Sequence, residues 1–158
     1  MPQAQGKGPL DALPRPTVPQ WLVLGGGLLT ALSGLLPWWS VTLVLSARSI
    51  SLTTAGWESA SGKVVALLGL LAIVLVALRL WRVTLPPMLR QRTRTIAIAM
   101  GALALLLSAL ALLDGVRVLA PGALVSGGAG IGIYVALVGA AAMIAGGWLD
   151  RGSAGWLL

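Results

Sequence analysis

The hydrophobic positions of this chain gather into four runs that hold no Asp, Glu, Lys, Arg or His: residues 22–39, 64–78, 95–113 and 129–149. Polar and charged positions fall between the runs. A helix rises about 1.5 Å per residue, so crossing roughly 30 Å of hydrocarbon takes about 20 residues. The pattern therefore predicts four transmembrane helices, at about 21–39, 59–82, 95–113 and 129–149. The second run is the shortest, which puts Lys63 and Arg79 near the two interfaces with their charged ends turned outward. Pro86 and Pro87 end the second helix. Asp114-Gly115 stops the third, and a glycine-rich entry opens the fourth.

The longest connection, residues 40–59, carries two β-branched-rich runs, 41–45 and 50–54, separated by Ser46-Ala47-Arg48-Ser49. Strand propensity around a short polar turn reads as a hairpin. A lone hairpin is marginal in water and must lie on helix ends, lipid or a partner. The expected fold is thus an all-α membrane protein, an antiparallel four-helix bundle with a small β-hairpin in its first outer loop. Residues 1–20 hold Pro2, Pro9, Pro14, Pro16 and Pro19 and read as an extended, solvated tail. Residues 150–158 form a second tail. No signal-peptide pattern precedes the first run, so it is expected to stay uncleaved.

Composition supports the membrane reading. The 158 residues are 58% hydrophobic and 9% charged, with mean hydropathy +0.95, whereas soluble domains carry about 25% charged residues. The net charge of +7 points away from nucleic acid, because the basic residues lie between apolar spans instead of on one solvated face. Lys7, Arg15, Arg79, Arg82, Arg90, Arg92, Arg94 and Arg151 fall on one side, and Arg48, Lys63 and Arg117 on the other. This asymmetry predicts both termini in the cytoplasm. Trp21, Trp81 and Trp148 then mark the inner interface and Trp38, Trp39 and Trp57 the outer one. Two Lys against nine Arg, with Ala, Gly, Leu and Val dominant, suggests a GC-rich bacterial genome and a place in the plasma membrane.

Charged groups inside a bilayer mark proton relays, ion sites or sensors, and the four runs have none. Without His or Cys, serine nucleophiles lack a base and metal or haem sites lack ligands. No catalytic, cofactor or metal residues are expected, and no enzyme activity. The glycines at 127, 128, 130 and 132 do not form a dinucleotide loop, since no βαβ unit surrounds them. Ser61-Gly62-Lys63 likewise lacks the spacing of a phosphate loop.

Small residues recur at sevenfold spacing: Gly26 and Ser33, Gly62 and Gly69, Gly101, Ser108 and Gly115, and Gly132, Gly139 and Gly146. Seven residues is about two turns, so each set lies on one helix face, and small faces let helices approach in lipid. These positions are expected to pack the helices in a left-handed bundle. Glu58, beside Trp57, is placed at the outer start of the second helix, where the dipole and Lys63 or Arg117 favour it; with Trp38, Trp39 and Trp57 it forms a candidate docking surface. Asp114 and Arg117 read as a local pair across the turn. Tyr134 is expected to bury its hydroxyl against a serine. The loop from Arg79 to Arg94, with Arg82, Arg90 and Arg92, is expected to meet anionic headgroups.

Pro37-Trp38-Trp39, Gly56-Trp57-Glu58 and the 130–134 segment Gly-Ile-Gly-Ile-Tyr together resemble small, mostly uncharacterised four-helix membrane proteins of GC-rich bacteria. The topology is also similar to that of claudin-like proteins, though the cysteine pair of that family's outer loop is absent. The resemblance implies no catalytic residues. The expected function is an accessory or structural subunit of a larger membrane complex, acting through helix packing and outer-loop docking on other membrane subunits. The alternative is a small transporter or homo-oligomeric pore for an uncharged or hydrophobic substrate.

Overall fold

The computed structural model describes residues 16–45, 48–81, 87–118 and 125–150. Helix α1 spans Val18–Ser33, strand β1 Pro37–Leu45, strand β2 Arg48–Ala55, a 3-10 turn Gly56–Glu58 and helix α2 Ala60–Leu80. Helix α3 covers Pro87–Val118, strand β3 Val125–Ala129 and helix α4 Ile131–Leu149. The chain is mostly helical and membrane-like. Helix α2, residues 92–114 of α3, and α4 are long and apolar enough to cross a bilayer, while α1 is a shorter apolar helix of 16 residues.

Helix α1 departs from expectation at both ends. It begins at Val18, inside the segment read as an extended tail. Pro19 is harmless there, because a first-turn residue has no intrahelical use for its N–H, and the Thr17 N–H donates to Gln20 Oε1 at 2.8 Å. At the other end the helix stops at Ser33, although the apolar pattern runs on to Trp39. Pro37 disfavours helical backbone at the residue before it. Pro37, Trp38 and Trp39 enter β1 instead. Helix α3 also corrects the expected boundaries. Pro87 opens it, so Arg90, Arg92 and Arg94 ride on helix and not on loop. Asp114-Gly115 lies inside it, because one interior glycine costs only about 1 kcal/mol.

The helices form a ring, α1 to α2 to α3 to α4, and α4 closes most extensively on α1. Pro19 at the start of α1 meets Gly146 near the end of α4, whereas Ser33 at the end of α1 meets Gly132 at the start of α4. The described N- and C-terminal residues therefore share one end of the bundle. The sheet occupies the other end.

The hairpin expected at 41–45 and 50–54 is present, with Val41 opposite Leu52 and Leu43 opposite Ile50. A third strand joins it: β3 pairs antiparallel with β1, Trp39 opposite Ala129 and Leu43 opposite Val125, giving the order β2-β1-β3. Val-Ser-Gly-Gly-Ala has little strand propensity of its own. The strand forms because β1 offers an unpaired edge next to the start of α4.

Candidate functional site

Trp38 joins sheet to bundle. Pro37 pairs with Ala55 and Trp39 with Thr54, so Trp38 is an extra residue in β1, a bulge. Bulges re-aim side chains, and this one turns the indole into the helices, where it is 0% exposed. Its Nε1–H donates to the Ser33 carbonyl at 2.8 Å, which also accepts from the Leu36 N–H at 3.2 Å beyond the end of α1. Val65, Ala104, Ile133 and Ala136 share its cluster. Two glycines make room for the ring. A Cβ on Gly132 would sit 2.5 Å from Trp38 Cδ1, and one on Gly56 would overlap the indole nitrogen.

Backbone bonds tie the same junction together. Gly56 N–H donates to Leu36 O at 3.1 Å, Trp57 N–H to Gly34 O at 2.7 Å and Gly130 N–H to Trp38 O at 2.7 Å. Ser59 caps α2, its Oγ accepting from Gly62 N–H at 3.0 Å and donating to Gly56 O at 2.9 Å. Sheet, α1, α2 and α4 thus meet as one fixed unit. Beyond it β2 projects with Ile50, Ser51, Leu52 and Thr53 all exposed, and Trp57 is 60% exposed.

Nine of the ten packing positions are buried, Gly26, Ser33, Gly62, Gly69, Gly101, Ser108, Gly132, Gly139 and Gly146, while the burial of Gly115 lies outside what is described. Their contacts are close. A Cβ on Gly139 would lie 2.5 Å from Thr30 Oγ1 and 2.7 Å from the Gly26 carbonyl, so α1 and α4 touch backbone to backbone. Gly27 and Gly69 do the same for α1 and α2. Thr30 is buried and donates to Gly26 O at 2.8 Å. The Ser108 hydroxyl is buried with no hydrogen-bond partner. The serine face of α3 therefore packs at some electrostatic cost.

The other candidate residues separate. Trp38, expected on an outward docking surface, is core. Trp39 is half-buried, and Trp57 and Glu58 are exposed. Glu58 makes no ion pair with Lys63 among the described residues, and Ser59 rather than Glu58 occupies the cap of α2. Tyr134, expected to bury its hydroxyl, is exposed. Arg92 is exposed and Arg94 half-buried. Arg82, and the side chains of Arg90 and Arg117, lie outside the described residues.

Opposite the sheet, the helix ends enclose a cleft of about 30 Å³ to which all four helices contribute. Gln20, Arg79, Thr93, Arg94 and Asp150 border it together with Val23, Val76 and Ala97, and the surface it exposes is almost wholly apolar. Arg79 and Asp150 form a partly buried pair at 3.8 Å, their side chains 23% and 14% exposed. Asp150 follows the end of α4, where the helix dipole disfavours a negative charge. Arg79, in the last turn of α2, supplies the compensating cation. The sequence places both residues near an interface, but nothing in it links one to the other.

No protein-family model and no curated protein matches this chain.

The site is therefore read from its own chemistry. One end presents a rigid sheet with apolar and hydroxyl side chains. The other presents a small, mostly apolar cleft bordered by the Arg79–Asp150 pair, with exposed Trp21, Trp81 and Trp148 near the ends of α1, α2 and α4.

Proposed function

We propose that this protein is a non-enzymatic subunit of a larger membrane complex, embedded by four spans and holding a partner on its sheet. The observation that carries this reading is the Trp38 junction. A fully buried tryptophan and three interelement backbone hydrogen bonds fix a small sheet to the bundle, while β2 and Trp57 stay uncovered. A sheet needed only to close a loop would not require such attachment.

In this reading α1 crosses with the help of the residues that follow it, both termini face the cytoplasm of a bacterial cell, and the basic residues of α3 meet anionic headgroups. The alternative of a carrier needs a path between helices. Backbone contact at Gly26 with Gly139, and at Gly27 with Gly69, argues against one along α1.

Extraction from the native membrane in mild detergent, followed by native mass analysis, tests the proposal. A stoichiometric complex that is lost in a Trp57→Ala/Glu58→Gln variant of normal stability supports it. A lone monomer for the unmodified protein overturns it. Orientation is tested separately, because the chain has no cysteine. Arg48→Cys should react with an impermeant maleimide from outside the cell, and Arg92→Cys only after lysis. The reverse pattern would invert the topology.

A further inference from the structure

We propose that the outer edge of β2 takes up an extended segment of a membrane partner, antiparallel to β2, as the fourth strand of the sheet. The inference deepens the reading that a partner is held on the sheet, and rests on it.

The main chain is the first argument. Along an antiparallel ladder, successive residues turn their N–H and C=O groups to one neighbouring strand and then to the other. Gly130 N–H donates to Trp38 O, which sets the phase. Residues 40 and 42 of β1 turn these groups to β3, and residues 39, 41 and 43 turn theirs to β2. The residues of β2 opposite them are Thr54, Leu52 and Ile50. Ser49, Ser51 and Thr53 therefore aim their N–H and C=O groups at the far side of β2, where no other strand lies among the described residues. Water solvates such a row in the free chain, and the protein chemistry that matches it is another extended backbone. Edge strands are commonly blunted by charge, proline or a bulge. Residues 50–54 hold no charged residue and no proline, and the bulge lies at the base of the sheet, between Pro37 and Trp39.

The register also sets what the added strand must carry. Val41 lies opposite Leu52, on the face that Ile50 shares, while Ser40 and Thr42 lie opposite Thr53 and Ser51 on the other face. Ile50, Ser51, Leu52 and Thr53 are all exposed. A strand of alternating apolar and hydroxyl residues continues both faces.

Direction selects the kind of partner. Strand β1 leaves the helix ends at Pro37, and β2 returns to them at Ala55. Strand β3 lies against α3, which continues past Ala111 of the Trp38 cluster to Val118, so the sheet stands along the bundle instead of across its end. A strand antiparallel to β2 thus runs away from the bilayer, as β1 does after α1. The segment that supplies it has just left a transmembrane helix, beside the start of α2. A second copy of this chain does not fit. Its edge strands, β2 and β3, both run toward their own helices, so antiparallel pairing would set the two bundles at opposite ends of the joined sheet, unable to share a bilayer.

The test uses the complex extracted from the native membrane in mild detergent. Ser51→Pro and Thr53→Pro each remove an outward N–H and leave the bonds between β1 and β2 in place. Each should cut the partner retained in native mass analysis about tenfold, through one lost hydrogen bond and the collision of the ring. Ser51→Thr, which keeps the N–H, should retain the partner, and an unchanged thermal midpoint shows that each variant is folded. Amide hydrogen exchange on the unmodified protein decides the matter should a proline variant fail to fold. The Ser51 and Thr53 amides should exchange about tenfold more slowly in the complex than in the chain stripped of its partner, whereas the Ile50 and Leu52 amides, bonded to β1, stay slow in both. Partner retained by folded proline variants, or Ser51 and Thr53 exchanging equally fast in both forms, overturns the added strand and leaves the subunit reading intact. A complex of this chain with itself alone overturns the foreign strand. A lone monomer of the unmodified protein overturns both.

Discussion

Replacing Trp38 with alanine should loosen the sheet before it unfolds the bundle. The indole is 0% exposed and packs on Gly56 and Gly132, so removing it leaves a cavity that the surrounding helix backbones cannot close. Aromatic-to-alanine changes in cores cost about 3–5 kcal/mol. Trp38→Phe keeps most of the ring but removes the 2.8 Å indole bond to the Ser33 carbonyl, which keeps the Leu36 N–H as a donor at 3.2 Å. One such hydrogen bond contributes about 0.5–1.5 kcal/mol. The ordering is therefore Trp38→Ala worse than Trp38→Phe, with thermal midpoints in detergent falling on the order of 10 °C and a few °C respectively. Trypsin gives a local readout, because Arg48 is the only basic residue between Trp38 and Lys63. Cleavage at Arg48 should accelerate in Trp38→Ala at temperatures where the helices stay intact. Wild-type midpoint and wild-type cleavage in Trp38→Ala would refute the claim that this residue holds the sheet.

Gly139→Ala should cost about 1–3 kcal/mol by forcing α1 from α4, since its methyl would lie 2.5 Å from Thr30 Oγ1; thermal unfolding in detergent measures it, and an unchanged midpoint would contradict the backbone contact. Ser108→Ala should be neutral or stabilising by about 1 kcal/mol, because it removes a buried hydroxyl that has no partner; the same assay giving a clear loss would show that the hydroxyl is bonded. Asp150→Asn and Arg79→Gln should each destabilise by about 1–2 kcal/mol, between the limits for exposed and buried pairs. A double-mutant cycle should show coupling, and strictly additive effects would mean the pair at 3.8 Å contributes nothing.

What the sequence disclosed depended on whether the signal was local. The sevenfold spacing of small residues marks buried faces, because helix periodicity converts spacing directly into position. The β2 hairpin was legible because its two runs flank a short turn. Helix α1 was misread at its end because Leu35, Leu36 and the two tryptophans are as apolar as any span, and only Pro37 signals that the chain leaves the helix. The role of Trp38 was hidden, since an outer-interface tryptophan and a bulged, buried one look alike until the register with Ala55 and Thr54 is known. Strand β3 was hidden for a related reason: its glycines are strand only by virtue of β1. The Arg79–Asp150 pair joins residues 71 positions apart, beyond any spacing rule.

The most direct test of the central claim is site-specific photo-crosslinking in intact membranes, with a photoreactive residue placed in turn at positions 52, 57 and 38. A partner-holding subunit gives one discrete protein adduct from Leu52 and Trp57, which are exposed, and none from buried Trp38. Adducts only to lipid, or only within the chain, from positions 52 and 57 would contradict it.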